Sequence, residues 1–336
     1  MKQRGQRVVV ITGASSGIGK ASALRFAKNR DKLVLAARRK NLLEDLVEDI
    51  RERRGEAIAV ATDVSDPKQI EKLRAAALKE FGRIDVWVND AGIGVVGKFH
   101  EVPVEDHDQV IGTNLLGVIN GSHAAMNQFR EQGHGVLINV SSVAGKITQP
   151  YMSSYSASKH AVRALSAAIR QELWLDDLDD VHVCTVFPES VDTPFFDNEA
   201  NRSGFKVKPS QPIETPEHTA EVIFDLAEDP KDEVHVGKAG KFLAAEQRIS
   251  RRATEKQMAW MAKRGHMDRS RREASKAGNI YEPSDDVGAI RADWKNGRTG
   301  SGAGKALKAI GMIAPAAFGI YFLARGKHRP ELERVA

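Results

Sequence analysis

Seven short apolar runs, rich in Val and Ile, punctuate the first 240 residues: 7–12, 32–37, 57–61, 85–88, 136–140, 181–187 and, more weakly, 233–237. Runs of this length, bounded by polar and glycine-containing stretches, read as buried strands. Between them apolar positions recur every three or four residues, the spacing of an amphipathic helix. Such stretches follow Gly19 (Ala21, Leu24, Ala27), cover 41–54, run from an Asp66-Pro67 cap to Phe81, and span 105–130; others carry Tyr155 on to Trp174 and cover 216–229. Strand and helix alternating in this way predict an α/β protein, a Rossmann-type doubly wound parallel sheet of about seven strands with right-handed crossovers. Ligands of such a sheet sit at the C-terminal strand ends. The sequence puts a glycine loop, Arg38, Asp63 and Asn89 there.

After about residue 240 the alternation stops. Residues 241–264 read as helical, with Phe242, Leu243, Ile249, Ala253, Trp260 and Met261 as an apolar stripe. Residues 265–304 are polar and end in a glycine-rich stretch (Gly297, Gly300, Gly302, Gly304), which reads as a linker or an extended arm. Residues 309–324 carry no charge. As a helix they would be about 24 Å long, short of the roughly 30 Å hydrocarbon core of a bilayer. Lys305 and Lys308 precede them, and Arg325, Lys327 and Arg329 follow. Two readings stay open: contact of 305–329 with an anionic membrane surface, or packing on the domain or a neighbouring subunit. The expected organisation is a nucleotide-binding catalytic domain over 1–240, a basic helical and linker extension over 241–304, and an apolar C-terminal helix over 305–336.

Composition adds limits rather than a new direction. The chain has 336 residues, 41% hydrophobic and 28% charged, as befits a large globular domain with an extension. Residues 247–336 hold 19 Lys and Arg against 9 Asp and Glu, while the whole chain is +5, so the first 246 residues are net −5. An acidic domain with a basic tail that lacks interleaved aromatics argues against nucleic acid as a partner. The single cysteine, Cys184, lies in an apolar run and reads as a buried strand residue; it rules out a disulfide framework, and no metal site is expected. The first apolar run is too short for a secretory leader. Together these predict a cytoplasmic location, membrane-associated if 305–329 meets a bilayer.

The candidate chemistry centres on Tyr155 and Lys159. Four residues apart on a helix, they share a face. A cation beside a phenol favours phenolate, so the tyrosine could exchange protons near neutral pH. Ser142, thirteen residues upstream at the end of a strand, could hold a carbonyl oxygen beside it. Alone, Tyr-x-x-x-Lys is also an ordinary helical pair. The loop Gly13-Ala14-Ser15-Ser16-Gly17-Ile18-Gly19 stands between a strand and a helix, the setting of a phosphate-binding turn. At the end of the second strand, Ala37 is not acidic, and Arg38-Arg39-Lys40 follow. Arginine there suits a ribose 2′-phosphate, which points to NADP(H), with NAD(H) the lesser expectation. Residues 195–216 have no clear period and read as a substrate lid.

Taken in order, Thr12-Gly13-x-x-x-Gly17-Ile18-Gly19, Asp63-Val64, Asn89-Asp90-Ala91-Gly92, Asn114, Ser142, Tyr155-x-x-x-Lys159 and Pro188-x-x-Val191-x-Thr193 resemble the classical short-chain dehydrogenase/reductase family over roughly residues 5–240. The resemblance implies an oxidoreductase moving a hydride between NADP(H) and a carbonyl or secondary alcohol. Tyr155 would be the general acid/base. Lys159 would lower its pKa and hold the nicotinamide ribose, Ser142 would polarise the carbonyl, and Asn114 would bend its helix and anchor a relay water. Gly13, Gly17 and Gly19 would wrap the pyrophosphate, together with Thr12, Ser15, Ser16 and Ile18. Arg38, Arg39, Asp63, Val64, Asn89, Ala91 and Gly92 would serve the adenosine half. Pro188, Val191 and Thr193 would serve the nicotinamide. Family members pair through the helices bearing Asn114 and Tyr155, so a homodimer or homotetramer is expected.

Two positions depart from the family pattern. Asp90 stands where a second asparagine is usual, a change expected to alter only a local hydrogen bond. Glu189 stands where glycine is frequent, and is expected to point to solvent or, as the alternative, to select a polar substrate group. Gly94, Val95, Val96 and Phe99 suggest a hydrophobic small-molecule substrate. The alternative function is a non-catalytic NADP-binding sensor or scaffold that works through its C-terminal extension.

Overall fold

A computed structural model describes residues 6–240, 246–247, 249–265, 267–285 and 288–294. Seven parallel strands form one sheet: β1 (Val8–Thr12), β2 (Lys32–Ala37), β3 (Glu56–Ala61), β4 (Val86–Asn89), β5 (Gly135–Val140), β6 (Val181–Pro188) and β7 (Glu233–Val236). Their spatial order is β7-β6-β5-β4-β1-β2-β3. The order reverses between β1 and β4, and a doubly wound sheet opens its ligand crevice at such a point.

The apolar runs are buried because both faces of the sheet are covered. On one face α1 (Gly17–Lys28) and α2 (Lys40–Glu52) enclose a core with Phe26, Leu35, Leu46 and Ile50. On the other, α3 (Pro67–Phe81), α5 (Gly117–Gln132) and α6 (Ser153–Leu175) pack Ile70, Phe129 and Leu173 against Trp87 and Leu137. α4 (Val104–Ile111) precedes α5, and α7 (Pro216–Glu228) returns to the first face with Ile223 and Phe224. Caps behave as the sequence indicates. The Asp66 carboxylate accepts the Lys68 N–H ahead of Pro67, and Gly82 ends α3 at φ +77°. By contrast, the Ser16 side chain does not cap α1.

The stretch read as one helix over 105–130 is interrupted. A π-helical turn, Gly112–Leu116, separates α4 from α5 and carries the fully buried Asn114. Such turns insert one extra residue, which a period of three to four does not reveal.

The C-terminal extension differs from its expected form. α8 (Arg251–Gly265) lies within the expected helix, but its inward residues are Thr254, Gln257 and Ala262, while Ile249 just before it is 78% exposed. Of the apolar stripe, Ile249 is thus off the docking face, while Ala253, Trp260 and Met261 are half-buried; Phe242 and Leu243 lie outside the described residues. After it, β8 (Met267–Arg272) pairs antiparallel with Phe205–Val207, within the segment read as a lid. The following residues are not a free linker. Ile280, Ala292 and Trp294 are buried, and Tyr281 Oη donates to Asp106 Oδ1 at 2.8 Å. Single apolar anchors separated by polar residues leave no periodic trace. The apolar segment 305–336, with its membrane reading, lies outside the described residues. Among the described residues no helix is long and apolar enough to cross a membrane, and no cluster of side chains could hold a metal ion.

Candidate active site

The N-terminal part of α6 and the ends of β4 and β5 form the floor of a cleft. Tyr155 and Lys159 share one face of α6, as their spacing requires, and the Lys159 Nζ lies 5.7 Å from the Tyr155 ring centre. Ser142 follows β5 and caps a short 3₁₀ turn, its Oγ accepting the Ala144 N–H at 3.1 Å. The Ser142 hydroxyl shares the cleft with the Tyr155 phenol and pulls its pKa down. This turn is clamped to α6, because Ser141 Oγ donates to the Lys159 carbonyl at 2.9 Å. A Cβ at Gly145 would fall 2.6 Å from that same carbonyl, so only glycine allows the approach.

Burial dominates the electrostatics. It pushes the Tyr155 phenol up to about 12, against the Ser142 hydrogen bond, with Glu199 and Asp90 adding to the rise. It pushes Lys159 down to about 8, against the field of Asp90. The lysine therefore does not lower the tyrosine here, as the spacing had suggested. Its Nζ donates to the Val140 carbonyl at 2.9 Å.

Asn114 stands behind this floor. Its Oδ1 accepts the Ile93 N–H at 2.9 Å and its Nδ2 donates to the Ile93 carbonyl at 2.9 Å. The side chain thus mimics a strand partner and fixes the loop after β4. Gly92 lies between the two groups: a Cβ there would be 3.5 Å from Asn114 Oδ1 and 3.7 Å from Lys159 Nζ.

At the other end of the cleft, Gly13 (φ +73°) and Gly17 (φ +55°) adopt conformations that disfavour other residues. A Cβ at Gly13 would sit 2.9 Å from the Ala91 nitrogen. This backbone cradle leads into α1, whose first turn has no side-chain cap and no acidic residue. Arg39 reaches the loop, donating to the hydroxyls of Ser15 (2.9 Å) and Ser16 (3.0 Å). Close-approach glycines, a helix N-terminus and two guanidinium groups fit the pyrophosphate and phosphate groups of a nicotinamide dinucleotide.

Gly94, Val95, Val96 and the exposed Phe99, read as substrate-facing, do not line this cleft. All the catalytic and cofactor candidates named from the sequence do line it, except Thr12, Gly19, Asn89 and Asn114. Those four stand behind its wall. Thr12 Oγ1 donates to the Val88 carbonyl at 3.3 Å and accepts from the Asp90 N–H at 3.1 Å, tying β1 to the end of β4. Asn89 braces β4 through Trp87, Asn139 and Ser122. Asn279, Pro283 and Ser284 of the extension also line the cleft, and no signal in the sequence pointed to them.

Both departures from the family pattern turn inward. Asp90 has its carboxyl pushed up to about 7 by burial, against the opposing pulls of Lys159 and the Gly19 N–H. It is thus more than a local hydrogen-bond change. Glu189 does not point to solvent. Its Oε1 accepts the Gly240 N–H at 2.6 Å, capping the turn after β7, and burial raises its pKa.

The comparisons agree with this geometry. A family model described as short chain dehydrogenase matches residues 7–203. An uncharacterized oxidoreductase, YxnA, from Bacillus subtilis (strain 168) is 34% identical over 262 residues, covering 77% of this chain and 73% of its own. A short chain dehydrogenase/reductase from Burkholderia phymatum, solved in complex with NAD, superposes with a TM-score of 0.66 at 29% identity, covering 76% of this chain and 97% of that one. An alcohol dehydrogenase from the archaeon Thermococcus sibiricus, complexed with 5-hydroxy-NADP, gives a TM-score of 0.61 at 29% identity, covering 69% and 96%. With the ordered motifs gathered at the switch point of a seven-stranded parallel sheet, the chain belongs to the short-chain dehydrogenase/reductase family of oxidoreductases.

Proposed function

We propose that the protein interconverts a carbonyl and a secondary alcohol with NADP(H), using Tyr155 as the general acid/base. The observation that carries this reading is the convergence of Ser142, Tyr155 and Lys159 on the floor of one cleft, with Tyr155 and Lys159 on the same helix face. A bound nicotinamide would supply or accept the hydride. In reduction, the carbonyl oxygen accepts from both hydroxyls, and Tyr155 gives its proton to the oxygen as negative charge develops. In oxidation, the phenolate takes the alcohol proton back. Lys159, pushed down to about 8 by burial, can exchange a proton close to neutrality. Asn114 holds the Ile93 peptide and, through it, the loop beside Lys159.

The preference for NADP(H) rests on Arg38 and Arg39 following the neutral Ala37. The related structures carry NAD in one case and 5-hydroxy-NADP in the other, so they do not decide it. Ile93, Met152, Phe195 and Phe196 line the cleft and favour a hydrophobic carbonyl substrate. The test is Tyr155→Phe, assayed with a panel of aldehydes and ketones. General acid–base catalysis contributes roughly 10²–10⁴-fold, so kcat should fall by that factor. NADPH affinity should stay within about twofold, because this reading gives the phenol oxygen a role in proton transfer rather than in affinity. Full activity in the variant would sink the assignment.

A further inference from the structure

The extension after β8 crosses the cleft at the end where the dinucleotide phosphates would bind. Residues 276–285 and 288–294 run from the lid segment over the glycine loop to the loop after β6. The Ala289 carbonyl accepts the Gly17 N–H at 3.0 Å, at the uncapped start of α1. The Gly288 carbonyl accepts from Lys20 Nζ at 3.1 Å. Arg38 donates to the carbonyls of Asn279 (2.6 Å) and Tyr281 (3.0 Å), and Arg39 to the Ser284 hydroxyl at 3.2 Å. A Cβ on Gly288, whose φ is +64°, would lie 2.5 Å from the Ser15 carbonyl, so this backbone presses directly on the glycine loop. At its end, the Trp294 N–H bonds Asp192 Oδ1 at 2.8 Å, and Arg291 pairs with Glu217 on α7.

These contacts fall on the donors that a pyrophosphate and an adenosine-side phosphate would need. A single N–H serves one strong acceptor, and the space above the Ser15 carbonyl is already filled by backbone. We infer that this strap is an internal competitor of the dinucleotide: its carbonyl oxygens stand where phosphate oxygens would go, and the cofactor binds only after they are released. The exchange is feasible because the strap offers neutral acceptors, whereas a phosphate makes charge-assisted bonds roughly twice as strong. The inference rests on the cleft's being the dinucleotide site, but not on the choice between NADPH and NADH. Release is required for either cofactor, so both affinities are lowered by the same factor. If the docked strap outnumbers the released form by about ten to one, apparent dissociation constants are raised roughly tenfold.

The test uses the full chain and direct binding of NADPH and NADH. Gly288→Val places a branched side chain against the Ser15 carbonyl and should unseat the strap, lowering both dissociation constants by roughly tenfold. Arg291→Glu, a surface change that sets two carboxylates together at Glu217, should act in the same direction by a smaller factor. In the unaltered chain, saturating NADPH should speed amide hydrogen exchange in peptides spanning 276–294. Unchanged or weakened binding in both variants, or slower exchange on adding NADPH, would overturn the strap's role as competitor while leaving the cofactor site intact. If neither the unaltered chain nor the variants bind a dinucleotide, both this inference and the proposed function fall. Should Gly288→Val not fold, Arg291→Glu and the exchange measurement decide.

Discussion

Asp90 and Lys159 both line the cleft and feel each other's charge, and burial drives each towards its neutral form. They are coupled, so their titrations belong to the pair. An Asp90 carboxylate holds Lys159 higher than burial alone would leave it. Asp90→Asn removes that support, so the lysine loses its proton at lower pH. The expected outcome is that the alkaline limb of kcat/KM for carbonyl reduction, measured from pH 6 to 9.5, moves to lower pH. An unmoved limb would mean that Lys159 titrates independently of Asp90. The sequence made Tyr155, Lys159 and Ser142 legible because helix and strand geometry fix how such spacings converge. It did not show that Asp90 shares their field, because a loop residue's direction depends on what it packs against, here the Gly19 N–H.

At the scale of elements, the π-helical turn at Gly112–Leu116 is the feature that brings Asn114 to the site. The extra residue rotates the helix face, so a polar side chain in an otherwise apolar pattern meets the Ile93 peptide. The seven strands were readable as apolar runs, and the helices as periods. The π turn was not, since it keeps its apolar neighbours in near-helical register. Asn114→Ala would strand the Ile93 N–H and carbonyl, both buried, each at a cost of about 1–3 kcal/mol. The unfolding free energy from urea titration should therefore drop by about 2–6 kcal/mol. Turnover should fall with it, as the loop beside Lys159 loosens. A variant with native stability would show that another group or water replaces the carboxamide, and that the turn is not held by Asn114.

Over the whole molecule, the extension closes what the family domain leaves open. The Lys276 ammonium donates to the Asp197 carbonyl, the Asn279 N–H to the Asn198 carbonyl, and Gly278 packs on the Glu199 backbone. Beneath them Glu199 is 1% exposed, and neither carboxyl oxygen has a hydrogen-bond partner. Burial raises its pKa well above 4.5, with Lys276 opposing. This sets a sign for the stability of the entire fold. A carboxyl raised in the folded state stabilises most below its unfolded pKa, and that contribution is lost as pH rises towards the folded value. Across that window the native chain holds a proton the unfolded chain has lost, at about 1.4 kcal/mol per pH unit. Asp90 and Glu189 are raised and act in the same direction. Lowered carboxylates such as Glu71 and Glu221 are ionised in both states above pH 5 and contribute little slope there. Unfolding free energy should therefore fall from pH 5 to 7. Glu199→Gln should flatten that fall, by at most about 1.4 kcal/mol per unit. Denaturant titrations at pH 5, 6 and 7 measure both slopes. Equal slopes would mean that Glu199 is ionised in the folded protein, and that the cover formed by residues 276–280 admits water to it.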